Sequence, residues 1–192
     1  MFPQHYRQPA RSQPLEVAEC ECDSAPADII PALLELHVAT EAPLASRSVT
    51  DTETSLDWTS LPTFTLLTDQ FQHLGIVFEN AVVVEPSNPA YPTYSGDRLV
   101  TGSPKAGWIV ASFVRPVKSV SGRITCSRPM LLIAFDPQQR IVAQEEIADA
   151  NLATSKSGIN PNQLLQIEGD DIQSVKFHCL GGQLTIDQLS FQ

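Results

Sequence analysis

Along the C-terminal two thirds of the chain, apolar and polar positions alternate with a period of two. That is the spacing of a half-buried strand rather than of a helix. The segment IQSVKFHC, residues 172–179, puts Gln173, Val175, Phe177 and Cys179 on one side and Ile172, Ser174, Lys176 and His178 on the other. QLTIDQLSF, residues 183–191, sets Leu184, Ile186 and Gln188 against Thr185, Asp187 and Leu189. TFTLLT, GIVFENAVVVE, DRLV, GWIVASFV, VKSVSGRITC, MLLIAFD, QRIVAQEE and QLLQIE read as further strands. Most are short, rich in Val, Ile, Phe and Thr, and bounded by Gly, Pro, Asn or Asp. FDPQQRIV and HCLGGQLTI join pairs of runs through a Pro-bearing polar turn and through Gly181–Gly182, which predicts two hairpins. IADANLATSKSGINPN lacks strand character and reads as a long loop or a short helix with a polar cap. Roughly ten strands with hardly a helix predict an all-β fold, an antiparallel β-sandwich of the jelly-roll kind.

The first 60 residues differ. MFPQHYRQPARSQPLEVAECECDSAPAD is rich in Pro and Gln and has little periodicity, so it cannot bury a core of its own. In PALLELHVATEAPL, Leu34, Leu36 and Val38 alternate with polar or small residues, as in a short strand; a helix from Pro31 would have to stop before Pro43. ASRSVTDTETSLDWTS reads as a Ser/Thr-rich linker. The expected organisation is an extended N-terminal arm and linker over 1–60 and a sandwich domain over 61–192. Phe2, Tyr6, Leu34 and Leu36 give the arm apolar surface to bury, and Trp58 is expected to anchor it to a surface. The arm either wraps its own domain, reaches a neighbour by adding a strand to an exposed edge, or stays a disordered tail.

Charge narrows the partners. With 12 basic and 22 acidic side chains the formal net charge is −10, which repels phosphate backbones and anionic lipid. Nucleic acid is therefore not expected as a partner. No run approaches the ~20 apolar residues of a membrane span. The N-terminus shows no apolar core of a secretory signal, so the chain is expected to be cytoplasmic on synthesis. The four cysteines, Cys20, Cys22, Cys126 and Cys179, show no C-x-x-C spacing, and Cys126 and Cys179 fall in strand-like runs as buried thiols would. No G-x-S-x-G elbow, P-loop or H-E-x-x-H is present, and the cluster EGDD, residues 168–171, reads as a solvated turn. The chain is expected not to be an enzyme.

The order FQHLGIVFENAVVV, GDRLV, FVRPVKSVSGRI, LLIAFDPQQRIVAQEE, LLQIEGDDIQSVKF and LTIDQLSF, over about residues 69–192, resembles the jelly-roll domains of the galactose-binding-like class, which include carbohydrate-binding modules. The resemblance implies binding rather than catalysis. It also implies a structural calcium near the first and last strands, for which Asp69 and Asp187 are the matching carboxylates; otherwise Asp187 bonds backbone, and no other cofactor is implied. The N-terminal arm has no counterpart in that class.

One loop has the composition of a ligand site. PSNPAYPTYSGDRLV, residues 86–100, carries Tyr91 and Tyr94 for a sugar's apolar face and Asn88, Asp97 and Arg98 for its hydroxyls. Trp108 would extend the platform if its strand ended at the same rim. The prolines would limit the entropy lost on binding, or simply stiffen an ordinary connection. Two functions follow. The first is a non-catalytic assembly protein, a subunit or decoration of a virion, tail or surface particle fastened by its arm, with protein partners or copies of itself. The second is a glycan-binding module using the 86–100 loop.

Overall fold

The computed structural model of the chain describes residues 52–103 and 106–192, all within one compact unit, Arg47–Gln192. The expectations placed on Phe2, Tyr6, Leu34 and Leu36 lie outside the described residues. Among the described residues ten strands form: β1 (Thr54–Ser55), β2 (Leu66–Leu67), β3 (Ile76–Glu79), β4 (Ala81–Val84), β5 (Leu99–Gly102), β6 (Trp108–Cys126), β7 (Met130–Phe135), β8 (Ile141–Ile147), β9 (Gln163–Cys179) and β10 (Leu184–Phe191). Every pairing is antiparallel. One 3₁₀ turn, Gln72–Leu74, precedes β3, and no helix among the described residues is long and apolar enough to cross a membrane. The fold is the all-β, antiparallel sandwich that the alternation predicts.

Two strands organise it. β6 has 19 residues and β9 has 17, far beyond the usual 3–10 of a globular strand. The first half of β6 pairs with β3 and with the second half of β9, which also pairs with β7 and through it β8. The second half of β6 pairs with β10 and with the first half of β9; beyond β10 come β5, β4 and β2. The long hairpin thus serves both layers. Register slips between Ser112 and Val117 and between Val117 and Ser119 mark where it bends from one to the other. Pro116 sits at that bend, where a missing N–H costs no ladder bond.

Three sequence readings change here. GWIVASFV and VKSVSGRITC are one strand, and so are QLLQIE and IQSVKFHC. EGDD is not a turn between strands; it is the bend inside β9, with Asp171 at φ 57°. GIVFENAVVVE, in turn, is two strands. Asn80, at φ 58°, turns the chain from the first layer to the second, and its side chain donates to Trp108 O and accepts from the Ser103 amide.

Both layers bury one core. Phe113, Phe177, Ile109 and Leu132 come from the first; Val83, Ile124, Ile167 and Ile186 from the second. Each large apolar side chain so buried contributes about 1.5–3 kcal/mol. The stretch 52–60, read as linker, belongs to this core. β1 pairs with β10, and Leu56 and Trp58 are buried. Trp58 is 3% exposed, lies edge-on to Phe71 and Phe78 at 5.4 and 5.9 Å, and donates its indole N–H to Asp187 O at 2.6 Å. It belongs to the core of the sandwich, deeper than a surface anchor for the arm. A two-residue strand among Ser and Thr gives no periodicity to read.

Candidate functional site

The 86–98 loop lies over the outer face of the second layer, held there by β10. Leu184 and Ile186 point into the core, so Thr185 points outward, and so does Asp187 at the start of a bulge where β10 gains one residue on β6 between Ile186 and Leu189. Asp187 is nevertheless only 3% exposed. Its carboxylate accepts the Tyr94 amide at 2.6 Å, the Ser95 amide at 3.2 Å and the Ser95 hydroxyl at 2.9 Å. The far side of the loop is fixed by the 148–162 segment: Asn162 Nδ2 donates to Pro92 O at 2.9 Å and the Ala153 amide donates to Ala90 O at 3.0 Å. That segment, a loop without helix, is fixed in turn by Asn151, fully buried and bonded to the backbone of Ile124, Cys126 and Asn160.

Beside the loop is a cleft of about 290 Å³. Thr101 of β5 and Thr185 of β10 lie on its strand side, with Gln183 at one end. Val84, Glu85, Pro86, Ser87, Asn88 and Tyr91 form one wall, and Phe64 contributes a second aromatic ring. Asn88 Oδ1 accepts the Ala90 amide and Asn88 O accepts the Tyr91 amide, a local turn that sets the Tyr91 ring and leaves the Asn88 amide N–H₂ for a ligand. Burial pushes the Tyr91 phenol above its ordinary value, against the Ser127 side chain, which lowers it, so the phenol stays neutral at neutral pH.

Phe64 is the least expected member. Its side chain is 78% exposed and its backbone sits at φ 67°, a left-handed conformation in which a bulky residue is strained by about 1–3 kcal/mol. Two backbone bonds enforce it: Phe64 N–H donates to Val83 O at 2.7 Å, and Val83 N–H donates to Thr65 O at 2.9 Å. Its neighbour Leu66 is exposed as well.

The other sequence candidates fall elsewhere. Tyr94 stands on the opposite side of the loop, 57% exposed, with the Arg123 guanidinium 3.7 Å from its ring centroid. Arg98 turns inward to Thr63 Oγ1 at 2.7 Å and Glu85 Oε2 at 3.1 Å, with Asp97 Oδ1 3.8 Å from its Nε, so it braces the loop's ends. Trp108 begins β6 in the first layer beside Lys176, whose Nζ is 5.4 Å from its ring, and does not line the cleft. Asp69 and Asp187 are engaged separately. Asp69 Oδ1 accepts the Thr68 hydroxyl, whereas Asp187 binds the loop. Among the described residues no three His, Cys, Asp or Glu side chains are grouped to hold a metal. Phe64, Thr101, Gln183 and Thr185 were not singled out by sequence. The alternation of QLTIDQLSF does put Thr185 and Asp187 on one face, and that was the available signal.

No family model matches this sequence, and no curated protein matches it. Solved structures resemble it at low identity. A DUF4465 family protein from Bacteroides caccae has 7% identity over 77% of this chain and 96% of that one, with a TM-score of 0.42. A mutant of the family 29 carbohydrate-binding module CBM29-2 has 11% identity over 73% and 91%, with a TM-score of 0.40. An arabinose-bound α-L-arabinofuranosidase has 9% identity over 67% of this chain, with a TM-score of 0.37, and the chain spans 25% of that enzyme's length. Likeness at this level is no guide to a ligand; what the site does is read from its own residues.

Proposed function

We propose that the protein is a non-catalytic carbohydrate-binding module and that it takes a sugar chain into the Phe64–Tyr91 cleft. The observation that carries this is Phe64. An exposed phenyl ring at a left-handed φ costs stability twice, through strain and through apolar surface left in water. The surrounding backbone bonds hold it in place all the same, beside the ring of Tyr91, Thr101, Thr185 and the amide of Asn88. Flat apolar faces with a few convergent hydrogen-bonding groups are what a pyranose requires. The cleft is at the small end of ligand sites, of a size for on the order of one or two sugar rings with the chain continuing into solvent. Pinning of the loop at both ends keeps the ordering entropy of binding low.

The test is a glycan array with wild type, Phe64→Ala and Tyr91→Ala, followed by calorimetry on the glycans that bind. Each variant is expected to lose at least tenfold in affinity while its melting temperature stays near wild type. No glycan bound by wild type, or equal binding by all three proteins, would reject the reading.

A second reading, a subunit of a larger assembly, draws on the open edge of β8. Among the described residues that strand pairs with β7 alone, and Ile141 is 60% exposed. A native mass above that of one chain, lost on charge substitution at Ile141, would support it; a monomeric wild type would not.

A further inference from the structure

The same loop borders a second groove, and its chemistry is different. A depression of about 360 Å³ crosses β1, β10, β6 and β9 on the outer face of the second layer. Ser121 and Ser190 hydroxyls are 2.7 Å apart in it, with Glu53, Gln166 and Gln188 around them. Leu164, 49% exposed, adds an apolar step. Arg123 is the cation of the groove. Its guanidinium carbon lies over the Tyr94 ring, 3.7 Å from the centroid, and one N–H reaches Asn162 O at 3.3 Å.

The state of Arg123 is the informative point. Arg98 pairs with Glu85, and Arg140 with Asp136. Arg115 and Arg128 are exposed and need no partner, whereas Arg123 is half-buried. Among the described residues no carboxylate pairs with it. A guanidinium fixed on one face by a ring, with most of its N–H donors left over, is preorganised to take a carboxylate from the groove side.

We infer that this groove is a second carbohydrate subsite, one that selects a sugar bearing a carboxylate, with Arg123 as the reader and Tyr94 as its support. The inference rests on the reading of the sandwich as a carbohydrate binder and goes beyond it in naming a separate site and an acidic substituent. Glu53 lies in the same groove and accepts from the Ser190 hydroxyl, so a chain with a carboxylate on every sugar is repelled where one with a sparse carboxylate is not.

The experiment compares cellotetraose with the same tetramer carrying one glucuronate, by calorimetry on the full chain. Wild type is expected to bind the acidic tetramer at least fivefold more tightly. Arg123→Gln removes the preference, Glu53→Gln enlarges it, and Phe64→Ala weakens binding of the neutral tetramer while leaving the acidic one bound in the groove. Equal affinities for the two tetramers in wild type, no binding of the acidic one, or a preference that survives Arg123→Gln overturns the inference. Loss of neutral binding alone in Phe64→Ala speaks only to the cleft. If Arg123→Gln does not fold, salt decides with wild type: the preference must shrink as ionic strength rises, and a salt-independent preference counts against it.

Discussion

At the scale of single residues, the molecule separates aromatic side chains by what they cost. Trp58 is buried against Phe71 and Phe78 with its indole N–H satisfied, and Trp58→Ala is expected to destabilise by about 3–5 kcal/mol in urea unfolding. Phe64 has the opposite character. Phe64→Gly removes strain and exposed apolar surface while adding chain entropy to the unfolded state. Stability within about 1 kcal/mol of wild type is expected, together with loss of glycan binding. A large destabilisation instead would make Phe64 a structural residue. Sequence reading reached Asn88 and Tyr91 because an aromatic, Pro-stiffened loop has a recognisable composition. It passed over Phe64 because TFTLLT reads as an ordinary strand, and a positive φ on phenylalanine leaves no mark in the alphabet. It took Trp58 for a surface anchor in a linker because burial there depends on Phe71, Phe78 and Asp187, the last 129 positions away.

At the scale of elements, alternation was enough to find most strands but not to join or divide them. Pro116 and the Gly169–Asp171 stretch look like strand ends in sequence, yet both lie in the bend of one long hairpin. Local turn chemistry was better legible. In the β7–β8 hairpin Asp136 accepts the Gln138 and Arg140 amides at 2.9 Å each and the Arg140 Nε–H at 2.6 Å, while Gln139 takes φ 62°. Burial acts to raise the Asp136 carboxyl, but the Arg140 amide, its guanidinium and the Gln138 amide outweigh it and hold the group below the usual carboxylate value. The sign follows. The hairpin's contribution is complete above the unfolded carboxylate pKa near 3.8 and is lost as pH falls through the lowered folded value. Acid titration of stability should therefore be shallower below about pH 4 for Asp136→Asn than for wild type, as followed by circular dichroism. The Asp187 clasp belongs to this scale too. Asp187→Ala orphans the donors of Tyr94 and Ser95, with an expected cost of about 1–3 kcal/mol, and frees the loop, which limited proteolysis between 86 and 98 would register.

At the scale of the whole molecule, one core closed by both layers also sets its alkaline behaviour. Burial pushes the Cys126 thiol from 9.0 up to about 12, helped by neighbouring Cys179, whose own thiol is raised by burial. The unfolded thiol ionises above pH 9 and the native one does not, so stability should fall as pH rises from 9 towards 12, and less so in Cys126→Ala. In the native protein at neutral pH, alkylation of Cys126 and Cys179 should be far slower than in urea, as mass spectrometry of the digested protein would show. The fold class and its antiparallel character were legible, because they follow from period and turn residues. The cleft was legible only in part, because it forms where the loop, Phe64 and strands β4, β5 and β10 meet, and no spacing in the chain encodes that meeting. Whether this meeting place holds a sugar is read from amide chemical shifts during titration with the best array-positive oligosaccharide. Saturable shifts are expected at Phe64, Asn88, Tyr91, Thr101 and Thr185; shifts confined to the Trp108–Lys176 face of the first layer, or none at saturating sugar, would exclude a sugar site in the cleft.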